Sequence, residues 1–389
     1  MGFIKIALTL SIITQGIFFP TYDVNDYEED STKEETEYDE AYQEIYDMLD
    51  IEGVEDILSK EGFGDDIRFS DIVIGISNGD GRYVTDTIAK GVKNALVCEL
   101  LANKSLMLQL VLLVLIGSIF VNISGAFGNA FISENGFYVT YLIITSIMLT
   151  SFSLTLDIVS GSIEKVLDLI RILVPVYAVA INFIGRAATS AGMYNLILFG
   201  VWIVQVVILK FIIPMIKFYV IVSLINNLNR EDSFSKLCNL IKNSVTWMLK
   251  TIVVFVAGLN IIKSLIEPQI DAIGRNTVNK IIQAIPGGGI MSVLTGTFLG
   301  AGMIIKNSIG IAGIVLLIVA VMVPVIKTFI MMITVRFTSV MIQPIGDKRY
   351  VDGVEALAQG MYLLLQTILS SVVLFMLTIA IMAYASSGG

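Results

Sequence analysis

Histidine is absent from all 389 residues. That absence removes imidazole-based triads, histidine metal sites and histidine proton shuttles from consideration. Cysteine is almost as scarce. Cys98 precedes the first long apolar run and Cys238 sits in a polar loop, so both read as small apolar residues and not as a disulfide framework. No Gly-Lys-Ser/Thr phosphate loop occurs either. The expectation is a chain that is no enzyme, holds no cofactor or metal, and binds no nucleic acid. Charge is also thin, at 15% of residues against about 25% in soluble domains, while 55% are hydrophobic.

What is present instead is a series of long apolar runs: Leu106 to Ile123, Tyr138 to Leu156, Val245 to Leu259, Ser308 to Val335 and Met361 to Ala383. Each reaches or approaches the roughly 20 residues that cross a hydrocarbon core of about 30 Å. Backbone polar groups in lipid must be paired within the segment, so the spans are expected to be helices. The resulting fold class is all-α, a polytopic helical membrane protein.

The charges that remain are unevenly placed. Residues 1–90 hold 22 acidic and 6 basic side chains, a net of −16, whereas residues 91–389 hold 12 acidic and 19 basic, a net of +7. Residues 1–20 carry Lys5 and the apolar run Ile6 to Ile13, which suits a signal peptide or an uncleaved signal anchor; either exports the acidic residues beyond it. Residues 21–44 are an acidic linker with too little apolar surface to fold. Residues 45–101 read as a small helical extracytoplasmic region, and residues 102–159 hold the first two spans. After Asp157 comes SIEKVLDLIRILVP, with Glu164, Lys165, Asp168 and Arg171 opposite Val166, Leu167, Ile170 and Val174. That period predicts an interfacial helix in the headgroup plane, ended or kinked by Pro175.

From there the order of elements recurs, predicting two internal repeats over residues 160–268 and 269–389. Residues 191–217 and 301–327 both begin Ala-Gly-Met and end Pro-x-Ile-Lys, and eight of 27 positions are identical at an offset of 110. An amphipathic segment precedes each (Ile163 to Leu173; Arg275 to Ile285), and a last long helix completes each copy. The copies are inverted if each crosses the membrane an odd number of times, and parallel if even. Ala284 to Gly289 reads as a turn, and Gly296, Gly300, Gly302, Gly310 and Gly313 as packing positions.

The duplicated motif supplies the candidate cavity or gate: Pro214, Lys217, Pro324, Lys327, Gly192 and Gly302. Proline frees a carbonyl one turn earlier, and a lysine three residues on can reach it or line a wet cavity. The alternative is that both lysines snorkel to the interface. The apolar cores contain essentially no acidic side chain, which counts against a proton-driven carrier and mildly favours anion passage or protein contact.

Four stretches carry a resemblance: Glu99-Leu-Leu-Ala-Asn103, Ile305-Lys-Asn-Ser-Ile-Gly-Ile-Ala-Gly313, Pro324-Val-Ile-Lys327 and Ile342-Gln-Pro-Ile-Gly346. In order and spacing they resemble the stage III sporulation protein AE family of endospore-forming bacteria, from about Val84 to the end. The resemblance implies a multi-pass protein of the mother-cell membrane around the forespore, with its N-terminal region extracytoplasmic. It also implies membership of a secretion-like channel complex required for endospore development, in which the chain is membrane core, permease-like gate or anchor. The partners so implied are a cytoplasmic ATPase, ring-forming exported proteins encoded with it, and a forespore membrane protein. A homo-oligomer is compatible with this reading. The alternative is a stand-alone secondary transporter of a small solute, with anions among the candidates.

Overall fold

The computed structural model describes residues 107–121, 130–183, 205–228, 233–256 and 288–385, with a few single positions between them. The expected signal segment, acidic linker, extracytoplasmic region and second amphipathic segment (Arg275 to Ile285) lie outside the described residues. Helix α1 spans Met107–Val121 and α2 spans Ala130–Phe183. A π-helical segment, Gln205–Ile212, runs directly into α3, Ile213–Leu228. Helix α4 covers residues 235–256, α5 Gly288–Ile342 and α6 Lys348–Ala385. No strand occurs among the described residues. Phe131–Ala180, Gln205–Leu228, Asn307–Ile342 and Lys348–Met376 are each long and apolar enough to cross a membrane.

Helix α2 departs from the expected span with a separate interfacial helix after it. It is one helix of 54 residues with Pro175 inside it, about 81 Å long at 1.5 Å per residue. The cause is an unbroken buried face: Tyr141, Ile144, Met148, Phe152, Val159, Ile163, Val166, Ile170, Val174 and Tyr177 are all nearly inaccessible. Their spacing of three, four or, from Phe152 to Val159, seven residues keeps phase through the charged segment, so packing carries the helix past the point where polarity rises. Pro175 lies on the exposed side, where a bend can relieve its ring. The amphipathic face read over Ile163 to Leu173 is real, but its apolar side packs on protein.

Helix α6 is the central element, touching α2, α3 and α5. Its Val354, Leu357, Met361, Leu364 and Ile368 are fully or almost fully buried. Gly360 marks the closest approach: a Cβ there would collide with Val220 of α3 and lie 3.3 Å from Phe152 of α2. The helix starts about four turns before the apolar run that betrays it. Asp347 accepts from the Arg349 amide at 2.9 Å through Oδ1, an N-cap interaction. The α5–α6 connection is tight because the Gly346 amide donates to the Ile342 carbonyl at 2.7 Å. Helix α5 in turn begins at Gly288, within the segment expected to be a turn; two glycines are tolerated there because first-turn amides have no intrahelical partner.

Contacts fix the directions. Arg336 of α5 pairs with Glu355 of α6 at 3.0 Å, and Gly313 lies near Ile379, so α5 and α6 are antiparallel. Val220 packs at Gly360, and the Tyr141 hydroxyl, near Gly353, donates to the Leu224 carbonyl at 2.8 Å. Helix α3 is therefore also antiparallel to α6, and runs the same way as α5. The two Pro-x-Ile-Lys motifs therefore sit on helices of the same direction.

Candidate functional site

The two Pro-x-Ile-Lys motifs occupy different local geometries. Pro214 is the second residue of α3, immediately after the π-helical segment, so the ladder is already shifted where its missing donor falls. Pro324 lies inside an uninterrupted α5, where the carbonyl of Ala320 loses its usual donor. Pro214 and Lys217 are exposed, while Pro324 and Lys327 are half-buried. Gly302 lies within α5; Gly192 lies outside the described residues.

The fold brings the two lysines to one depth without bringing them into an ion pair. Lys217 stands three residues before Val220, which packs at Gly360. Lys327 stands nine residues before Arg336, which pairs with Glu355. Since both helices are antiparallel to α6, both lysines fall level with Leu363 and Leu364. One residue beyond Lys327, the Thr328 hydroxyl is fully buried without a hydrogen-bond partner among the described residues. Thr338, Thr367 and Thr378 instead donate to the carbonyl four residues earlier at 2.7–2.9 Å.

A second polar constellation, unmarked in the sequence, ties the start of α6 to the start of α2. The Arg349 guanidinium donates to Glu134 at 3.0 Å and to Asp347 at 3.3 Å, and its carbon sits 3.3 Å from the centroid of the Phe137 ring. The Arg349 side chain is only 12% exposed. Phe137, Tyr141 and Tyr350 continue the stack, with centroids 4.9 Å apart for Phe137 and Tyr350. Partners 215 residues apart leave no local pattern to find. The Ile342-Gln-Pro-Ile-Gly346 motif is the nearest signal, and it forms the turn that presents Asp347.

No group of three or more metal-ligating side chains occurs among the described residues. A partly open crevice of about 30 Å³ between Leu173, Tyr177, Gly310, Gly313, Phe375 and Ile379 is almost wholly apolar.

The family model described as stage III sporulation protein AE matches residues 67–386. The chain is also similar to the stage III sporulation protein AE of Bacillus subtilis (strain 168), at 22% identity over 312 residues, covering 80% of this chain and 78% of that protein. No solved structure matches. With a match over most of its length and four membrane-length helices, the chain belongs to the stage III sporulation protein AE family.

Proposed function

We propose that this chain is the non-enzymatic membrane core of a secretion-like channel complex between mother cell and forespore, acting as a permease-like gate. In this reading it sits in the mother-cell membrane with its N-terminal region extracytoplasmic. Its partners are a cytoplasmic ATPase, exported ring-forming proteins and a forespore membrane protein. The observation that carries the reading is the pair of parallel proline-bearing helices with Lys217 and Lys327 level on α6. Two basic groups at one depth, beside helices that proline or a π segment has loosened, are suited to gating. The family membership supplies the sporulation role.

The test is a Lys217→Ala, Lys327→Ala double variant. Spore yield falls while the protein accumulates normally in the membrane, and the chain co-purifies with the ATPase and exported components. Normal sporulation in the double variant removes the gate and leaves an anchoring role. The embedded lysines favour one other reading, a self-sufficient carrier of a small anion. That carrier would move solute in liposomes containing this chain alone; absence of flux across a broad set of anionic metabolites excludes it.

A further inference from the structure

The charged segment of α2 lies at a depth where its neighbours are apolar. Phe152 packs at Gly360, and Leu173 meets Gly313 beside Ile379. Helix α2 from 152 to 173 therefore runs alongside α6 from 360 to 379. Over Met361 to Ile379 helix α6 has no charged residue, and the facing part of α5 has only Lys327. That stretch of α6 is about 28 Å long, close to the roughly 30 Å of a hydrocarbon core. At the same depth α2 carries Asp157, Glu164, Lys165, Asp168 and Arg171.

These groups extend a polar stripe. Ser146, Thr150, Ser153, Asp157, Glu164 and Arg171 recur at helical spacing on the side opposite Met148, Val159 and Ile163, and all six are exposed. The stripe is about 38 Å long, enough to cross the apolar core. Its upper part forms an open groove of about 460 Å³ bounded by Ser146, Leu149, Thr150, Ser153 and Leu154. Acyl chains are a poor cover for such a face, because ionised side chains at membrane depth turn to one another or to water.

Helix α3 and the π-helical segment before it offer the complement. Lys210 and Lys217 are exposed and seven residues apart, the spacing of Asp157 and Glu164. Phe152 is level with Val220, and Arg171 donates to Gln205 at 2.8 Å. The two helices are thus antiparallel, with Lys217 level with Asp157 and Lys210 level with Glu164 to within about one turn. None of these four forms an ion pair among the described residues. A copy related by rotation about the membrane normal keeps every depth unchanged, so its lysines arrive level with these carboxylates.

We propose that this face of α2 and α3 lines a water-filled path through the membrane, closed by a second copy of the chain. The proposal deepens the gate reading above and rests on it. Asp168 bonds Arg171 at 2.8 Å, so charge at that end of the stripe is partly neutralised, and Asp157 and Glu164 present the acidic groups to the water.

The test uses the full chain in native membrane vesicles with Cys98→Ser and Cys238→Ser. Single cysteines replace Ser146, Thr150, Ser153, Asp157 or Glu164, the three serine and threonine sites being close to isosteric, and a charged, membrane-impermeant thiol reagent is added. Stripe positions react at least about tenfold faster than Trp247→Cys and Val254→Cys, because only a hydrated thiol ionises. A bismaleimide added to an Asp157→Cys, Lys217→Cys variant gives a ladder of linked chains. A silent stripe overturns the path, and so does equal reactivity all around α2, which would put that helix outside the bilayer. Linked chains with a silent stripe indicate a dry contact, and reactive cysteines that link only within one chain exclude the second copy. Labelling requires neither sporulation nor partners. Its failure therefore leaves the complex membership standing, and failed co-purification leaves the path standing.

Discussion

Arg349 illustrates how one side chain sets the register of two long helices. It is nearly buried, it bridges Glu134 and Asp347, and it lies flat on Phe137. Arg349→Ala removes the cation that bridges Glu134 and Asp347, and a loss of about 2–3 kcal/mol is expected from breaking such a partly buried cluster. Thermal unfolding in detergent measures it. Arg349→Lys recovers less than half of the loss, since an ammonium can neither fork across two carboxylates nor stack on the ring. Thr328 makes the opposite case. Its buried hydroxyl has no partner among the described residues, so Thr328→Val keeps or raises stability, by up to about 1–2 kcal/mol. A marked loss of stability in that variant would mean that the hydroxyl holds a bound water.

At the scale of elements, Pro324 holds α5 below its own stability limit. An interior proline costs a helix about 3 kcal/mol, and Pro324→Ala restores a donor for the Ala320 carbonyl. The expected outcome is a higher Tm together with a lower spore yield, as a loosened helix is straightened; unfolding scans and spore counts check the two halves separately. The helices themselves were largely legible in the sequence, because runs such as Ser308 to Val335 leave few alternatives. Their limits were not. Between Asp157 and Arg171 polarity rises enough to suggest an interfacial helix, and only the phase from Tyr141 to Tyr177 reveals that one helix continues. Helix α6 begins at Lys348 because single residues per turn, Tyr350, Val354 and Leu357, find a buried site; such sparse apolar spacing is a weak signal on its own. Of the candidate gate residues, the duplicated spacing marked Lys217 and Lys327, but their unequal burial, one exposed and one half-buried, depends on tertiary packing that spacing does not encode. The Arg349 cluster joins partners 215 residues apart, and the motif before Asp347 was its only trace in the sequence.

For the whole molecule, the contacts divide the polar connections between two ends. Glu134 reaches Arg349, the Asn226 side chain accepts from the Phe234 amide at 2.7 Å across the α3–α4 connection, and Leu224 meets Tyr141. The α3–α4 and α5–α6 connections therefore share one end with the start of α2. Cysteines placed at Ser233, Gln343 and Lys348, all exposed, are expected to label from the same side of the membrane. Labelling of Ser233→Cys from the side opposite Lys348→Cys would contradict the parallel course of α3 and α5.

The tight crossing at Gly360 carries one further consequence. There α6 offers no side chain of its own, so Val220 of α3 and Phe152 of α2 rest directly on its backbone, and α5 also packs along α6. A tilt of α6 is therefore expected to carry α3 and α5 with it, which would keep Lys217 and Lys327 level with each other.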